Sequence, residues 1–211
     1  MTITAPFDCF RPYVYSSTAT LQPPGCHLCG LPLKAGHAHL VDRFESTLVC
    51  TCAACGVLFS ASAADRSRFR AVPRSARFRA RMQRRDPGWQ ALGIPVRLAF
   101  LFHRSAARRW IAVIPSASGP AWVALPQPAC DAFLRAHPRV RQLVGDVEAL
   151  LVRREQSRLL ECFGCPIDRC YALVALMHEA RRGGESRPDV HAGIESLLAQ
   201  LRAEVELTGA L

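Results

Sequence analysis

The sequence is nearly without lysine: Lys34 is the only one among its 27 basic residues, and arginine supplies the rest. It lacks any run of about eighteen apolar residues, which leaves no candidate membrane-spanning helix. Its opening, MTITAPFDCFRPYVYSSTATLQPPG, has no basic stretch leading into an apolar block and does not read as a secretory signal. A cytoplasmic chain is therefore expected. Also missing are a nucleophile paired with a base, a glycine-rich phosphate loop and a metal-binding helix motif, so no residues present themselves as catalytic. His103, His137, His178 and His191 are scattered with no spacing that forces any two together.

Cysteine, by contrast, is abundant, with 10 in 211 residues. A reducing compartment keeps thiols free, so a disulfide framework is not expected in a chain of this kind and metal ligation becomes the first reading of the clustered cysteines. Cys26 and Cys29 form one C-x-x-C pair, Cys52 and Cys55 another, and each pair is followed by a glycine, Gly30 or Gly56. The 22 residues between the pairs suit a zinc ribbon. Each knuckle bends back so that two sulfurs reach one ion, and the trailing glycine can take the positive φ of such a turn. Four thiolates around zinc make a closed structural site. Iron in the same ligand set, or an iron–sulfur cluster, is the alternative.

Three more donors lie nearby. In the strand expected over LVCTC, Cys50 points to the same face as Cys52 and falls near the site as an additional ligand or a packed neighbour of it. His37 and His39 share one face of the other strand by the same rule. A second cluster, CFGCPIDRC, carries a C-x-x-C pair at Cys162 and Cys165 ahead of a helix, the arrangement of a redox dithiol. Cys170 falls on the apolar stripe of that helix, and Cys9 and Cys130 stand alone as small buried hydrophobes.

The formal net charge is +10, much of it local. Arg66, Arg68, Arg70, Arg74, Arg77, Arg79, Arg81, Arg84 and Arg85 all lie within one segment with few large apolar residues. The segment reads as a linker with a strand near RFRAV. Its charge suits docking on an acidic protein better than nucleic acid, because no recognition helix or RNA-binding signature accompanies it.

Four regions result: an irregular arm over 1–24, a zinc-ribbon-like cysteine module over 25–62, the arginine-rich linker over 63–88, and an α+β domain over 89–211. In the module, GHAHLVDRF and STLVCTC form a hairpin between the knuckles. In the last region, VRLAFLFHR, RWIAVIPS and AWVAL form an antiparallel meander, and EALLV and SRLLECF add strands. PQPACDAFLRAH is a helix opened by Pro128 and closed before Pro138. PIDRCYALVALMHEARR is another, with Pro166 in its first turn and Gly183 and Gly184 as its stop. A last helix spans about 189–207 before Gly209.

CHLCGLPLKAGHAHLVD, LVCTCAACGVLF, WQALGIPVRLAFLF and PIDRCYALVALM, in this order, resemble an uncharacterised protein family encoded beside actinobacterial-type nickel–iron hydrogenase genes. The likeness covers most of residues 26–182 and places Cys26, Cys29, Cys50, Cys52, Cys55, His37, His39, Trp89 and Pro166 on the family's positions. It implies an accessory or assembly role near the hydrogenase, with a hydrogenase subunit or maturation factor as partner. The heavy arginine segment and the pair Cys162 and Cys165 depart from the family pattern. The expected function is that of a non-enzymatic metal-binding accessory protein. An iron-containing electron-transfer protein and a nucleic-acid-binding ribbon protein are the rivals.

Overall fold

The computed structural model describes residues 25–60, 67–94, 97–116, 119–155, 158–179 and 187–208. The arm over 1–24 with Cys9, the residue Arg66, and the helix stops at Gly183, Gly184 and Gly209 lie outside them. The fold is α+β, with two antiparallel sheets and six helices among the described residues. None of these helices is long and apolar enough to cross a membrane.

The first sheet belongs to the cysteine module. β1 (Ala38–Asp42) and β2 (Thr47–Thr51) form the expected hairpin, and β3 (Phe69–Ala71) pairs with the other edge of β1, giving the order β2-β1-β3. Helix α1 (Ala53–Ser60) follows β2 directly. The second sheet has six strands, in the order β4-β9-β8-β5-β6-β7. They are β4 (Phe78–Gln83), β5 (Leu98–Arg104), β6 (Arg109–Ser116), β7 (Gly119–Ala124), β8 (Glu148–Arg154) and β9 (Leu159–Pro166). The meander β5-β6-β7 lies where the alternating apolar pattern puts it. Pro166 ends β9 opposite Glu148, and α5 (Ile167–Glu179) begins one residue later.

Both faces of this sheet are covered, as the strand parity requires. Phe78, Met82, Ala99, Leu101, Leu150, Val152, Leu160 and Cys162 face one way, into a core shared with Trp89 of α2 (Pro87–Ala91), Phe133 of α3 (Gln127–Ala136) and Val140 of α4 (Pro138–Arg141). Phe100, Phe102, Ala149, Leu151, Phe163 and Cys165 face the other way, under Tyr171 and Val174 of α5 and Leu198 and Leu201 of α6 (Arg187–Thr208). This second core continues without a break into Val41, Leu48, Cys50 and Cys52 of the cysteine module.

The arginine segment, expected as a linker with a strand near RFRAV, supplies that strand as β3 and a further one, β4. Residues 78–82 alternate Phe, Arg, Ala, Arg, Met, so that Phe78 and Met82 enter the core while the arginines between them turn to the opposite face. There Arg79 meets a buried carboxylate, as does Arg77 just before the strand, and Arg81 lies near the partly exposed Glu155. Arg77 reaches Glu148 at 3.0 Å, and Arg79 reaches Glu161 at 2.7 Å. Arg202 of α6 contacts the same Glu161 carboxylate at 2.6 Å. In the module Arg68 grips Asp42 at 2.7 Å, and Arg43 crosses to Asp146 at 3.1 Å. Burial alone would raise the Glu161 carboxyl, but Arg202 and Arg79 outweigh it and hold it below the usual carboxylate range. Asp42 is likewise lowered, against its burial, by Arg68 and the amides of Glu45 and Phe44.

A carboxylate whose folded pKa lies below its unfolded value of about 4 stabilises the fold above that value and ceases to do so as pH falls through the folded one. The contribution of Asp42 and Glu161 to stability in denaturant unfolding should therefore be present in full above about pH 5 and be lost below about pH 4. Glu161→Gln should cost about 2 kcal/mol or more at pH 7, since it leaves two guanidiniums against a neutral amide, and should flatten the acid limb of the curve. Equal stabilities for the two proteins at pH 7 would show that the ion pairs carry no net weight.

Candidate metal centre

The first knuckle closes through local hydrogen bonds. Gly30 N donates to Cys26 O at 2.8 Å and Cys26 N donates to Leu31 O at 2.8 Å, while Gly30 takes a φ of 77° that a side chain would resist. His27 N donates to Cys50 O at 2.9 Å, which ties the knuckle to β2. The second pair differs from the hairpin turn a ribbon would use: Cys52 follows β2, and Cys55 lies in the first turn of α1. Gly56 N donates to Cys52 O at 2.8 Å, yet Gly56 is helical rather than left-handed. Its lack of a side chain matters sterically, because a Cβ there would come within 3.3 Å of Ala38 Cβ.

The hairpin folds these two turns onto each other. The ligand atoms of Cys26, Cys29, Cys52 and Cys55 all lie within 4.8 Å of one another. Cys29 Sγ and Cys52 Sγ are 3.8 Å apart. Metal–sulfur bonds of about 2.3 Å in a tetrahedron give sulfur–sulfur edges of about 3.8 Å, whereas a disulfide needs about 2.05 Å. The four cysteines thus form a group that can hold a metal ion. Cys55 N points at Cys52 Sγ at 3.4 Å, a contact that stabilises a thiolate. Cys29 is exposed and the other three are buried.

Electrostatics make the same point. Against the cost of burial, the amides of Cys52, Leu28 and Cys29 lower the Cys26 thiol to about 6. Burial and the three neighbouring sulfurs push Cys55 up to about 12. One thiolate in this group opposes the next, and a cation at the centre removes that opposition.

Cys50 does not join the four. β2 ends at Thr51, so the alternation that would place Cys50 and Cys52 on one face is broken between them. Cys50 instead lies opposite His39 in the β1–β2 register and forms a separate group with His37 and His39. His39 Nδ1 meets Asp168 Oδ2 at 2.9 Å, a partner from the start of α5 that sequence reasoning missed. The acidic residue in the PID string was the one available signal. Burial would lower the His39 pKa, but Asp168 and Cys50 outweigh it and raise it to about 9.

The redox dithiol is corrected. Cys162 and Cys165 are three apart in a continuous strand and point to opposite faces, into different cores. Between them, Gly164 leaves room for the Phe78 ring, which lies where a Cβ would stand. Cys165 Sγ is beside Cys170 Sγ instead, at 3.7 Å. Cys170 is core, as expected, and so is Cys130.

Several of the arginines expected to dock a partner have partners within the chain. Arg68, Arg77, Arg79 and Arg81 are engaged with acidic residues of the chain, and Arg70 donates to Gly145 O at 3.2 Å. Arg74, Arg84 and Arg85 are exposed.

The model of a family of unknown function matches residues 25–205. The chain belongs to the DUF5947 family. The matched span takes in both candidate ligand groups and both sheets, and stops within α6. No curated protein and no solved structure matches the chain significantly.

Removing two thiols from different knuckles should open the centre. A Cys29→Ser, Cys52→Ser double variant is expected to lose one equivalent of bound metal per chain by elemental analysis, and to expose the module to proteolysis. Full metal content in that variant would rule these cysteines out as ligands.

Proposed function

We propose that this chain is a non-enzymatic zinc-binding accessory protein that assists assembly or docking of a nickel–iron hydrogenase. The observation carrying the metal half of the reading is the tetrahedral spacing of Cys29 Sγ and Cys52 Sγ within the four-cysteine group. Zinc is preferred to iron because a closed set of four thiolates is the common form of a structural zinc site. An ion held by four thiolates has no open position, so this centre contributes folding energy rather than turnover.

Docking is supported by the surface around the ligands. Leu31, just after the first pair, is 56% exposed, and Val57 and Leu58, just after the second, are 70% and 71% exposed. Phe59 adds to them. Apolar side chains on the two segments that grip the ion suit a protein partner. The hydrogenase half rests on the resemblance of the motif strings to the family encoded beside such genes, and the partner is taken to be a hydrogenase subunit or maturation factor.

Deleting the gene in a host that makes such a hydrogenase should lower the amount of mature enzyme, and a Val57→Glu, Leu58→Glu variant should complement at least tenfold less well while keeping its zinc. Normal hydrogenase maturation, assembly and activity in the deletion strain would overturn the accessory role. Purified protein should also be colourless, and strong visible absorption would move the cofactor from zinc to iron.

A further inference from the structure

We propose that His37, His39 and Cys50 form a second metal site, distinct from the four-cysteine centre, which holds a divalent ion of the zinc class and keeps one coordination position open to a cavity beside Arg74 and Arg169. Their ligand atoms lie within 4.8 Å of one another. The hairpin produces this grouping directly: His37 and His39 are two apart on one face, and Cys50 is His39's cross-strand partner.

The hydrogen bonds fix the chemistry of both rings. His37 Nδ1 lies 3.0 Å from Lys34 O, and His39 Nδ1 lies 2.9 Å from Asp168 Oδ2. A carbonyl and a carboxylate only accept, so in each neutral ring the proton sits on Nδ1 and Nε2 is the nitrogen that can offer a lone pair. Backbone carbonyl and carboxylate are the two usual outer partners of metal-binding histidines, and each sets the ring's tautomer and direction. Asp168 is itself held, with Oδ1 accepting from Arg169 N at 2.8 Å.

Two imidazoles and a thiolate suit zinc and its neighbours, and not magnesium or calcium, which take oxygen ligands. Three protein ligands with a vacant fourth position are the pattern of a zinc ion that accepts an outside molecule. The place for that molecule is a cavity of about 220 Å³ lined by His37, His39, Asp168, Arg74 and Arg169. Two guanidiniums beside the ion select a small anion. Arg169 is positioned by Glu204 at 3.1 Å, and Arg74 stands on the exposed rim. The four-thiolate centre is closed, so this site adds ligand binding to a chain whose other ion is structural.

Cobalt(II) tests the site in the full chain, since its ligand-field spectrum reports coordination and its content can be counted. The wild type should bind two equivalents, and His37→Gln and Cys50→Ala should each bind one. His37 is partly exposed, so its substitution should leave the circular dichroism spectrum unchanged. Azide should alter the visible spectrum of the wild type and leave that of His37→Gln unaltered. The ion at this site should survive the Cys29→Ser, Cys52→Ser double substitution, which separates it from the four-cysteine reading. Two equivalents retained in folded His37→Gln, or a single wild-type equivalent, would overturn the second site. Two bound ions without a response to azide would overturn its open position.

Discussion

Four thiols crowded within one coordination sphere are the constraint on which the N-terminal half depends. Left alone they resist joint ionisation, as the opposite movements of the Cys26 and Cys55 pKa values make plain. A dication at the centre would turn that repulsion into attraction and would fix the two cysteine pairs together. Everything around them is short: one hairpin of two five-residue strands and an eight-residue helix. Elements of that length bury little apolar surface of their own, so a bound ion would add to the core they share with the large sheet.

The module is then fastened to the six-stranded sheet by charge as much as by hydrophobic contact. Arg43 reaches Asp146, Arg70 reaches Gly145, and His39 reaches Asp168, all across the boundary between the small sheet and the rest. On the same side Glu161 lies fully buried between Arg79 and Arg202. Arginine serves here because its planar fork spans two carboxylate oxygens and remains charged when partly desolvated. The near absence of lysine is consistent with that use, and part of the local excess of positive charge is matched inside the fold, where Arg68, Arg77, Arg79 and Arg81 each meet a carboxylate.

Local pattern carried much of the architecture. The hairpin of the module, the meander β5-β6-β7, the strands β8 and β9 and the three longest helices follow from alternation, helical spacing and proline placement, because each depends on neighbours in sequence. β4 was hidden because its outward positions are arginines, and what makes them tolerable is Glu161 and Glu155, some 70 to 80 residues away. Asp168 was invisible as a partner of His39 for the same reason, at a separation of 129 residues. Cys50 groups with the two histidines rather than with the four cysteines because β2 stops at Thr51 and does not run on through Cys52. The separation of Cys162 and Cys165 was legible all along, since residues three apart in a strand face opposite ways.

Zinc-edge X-ray absorption on the His37→Gln protein, in which only the four-cysteine centre should retain an ion, tests the central claim most directly. The account requires a single shell of four sulfurs at about 2.3 Å with no nitrogen or oxygen in it. A shell of mixed sulfur and nitrogen, or one with fewer than four sulfurs, would contradict the assignment of Cys26, Cys29, Cys52 and Cys55 as a closed set.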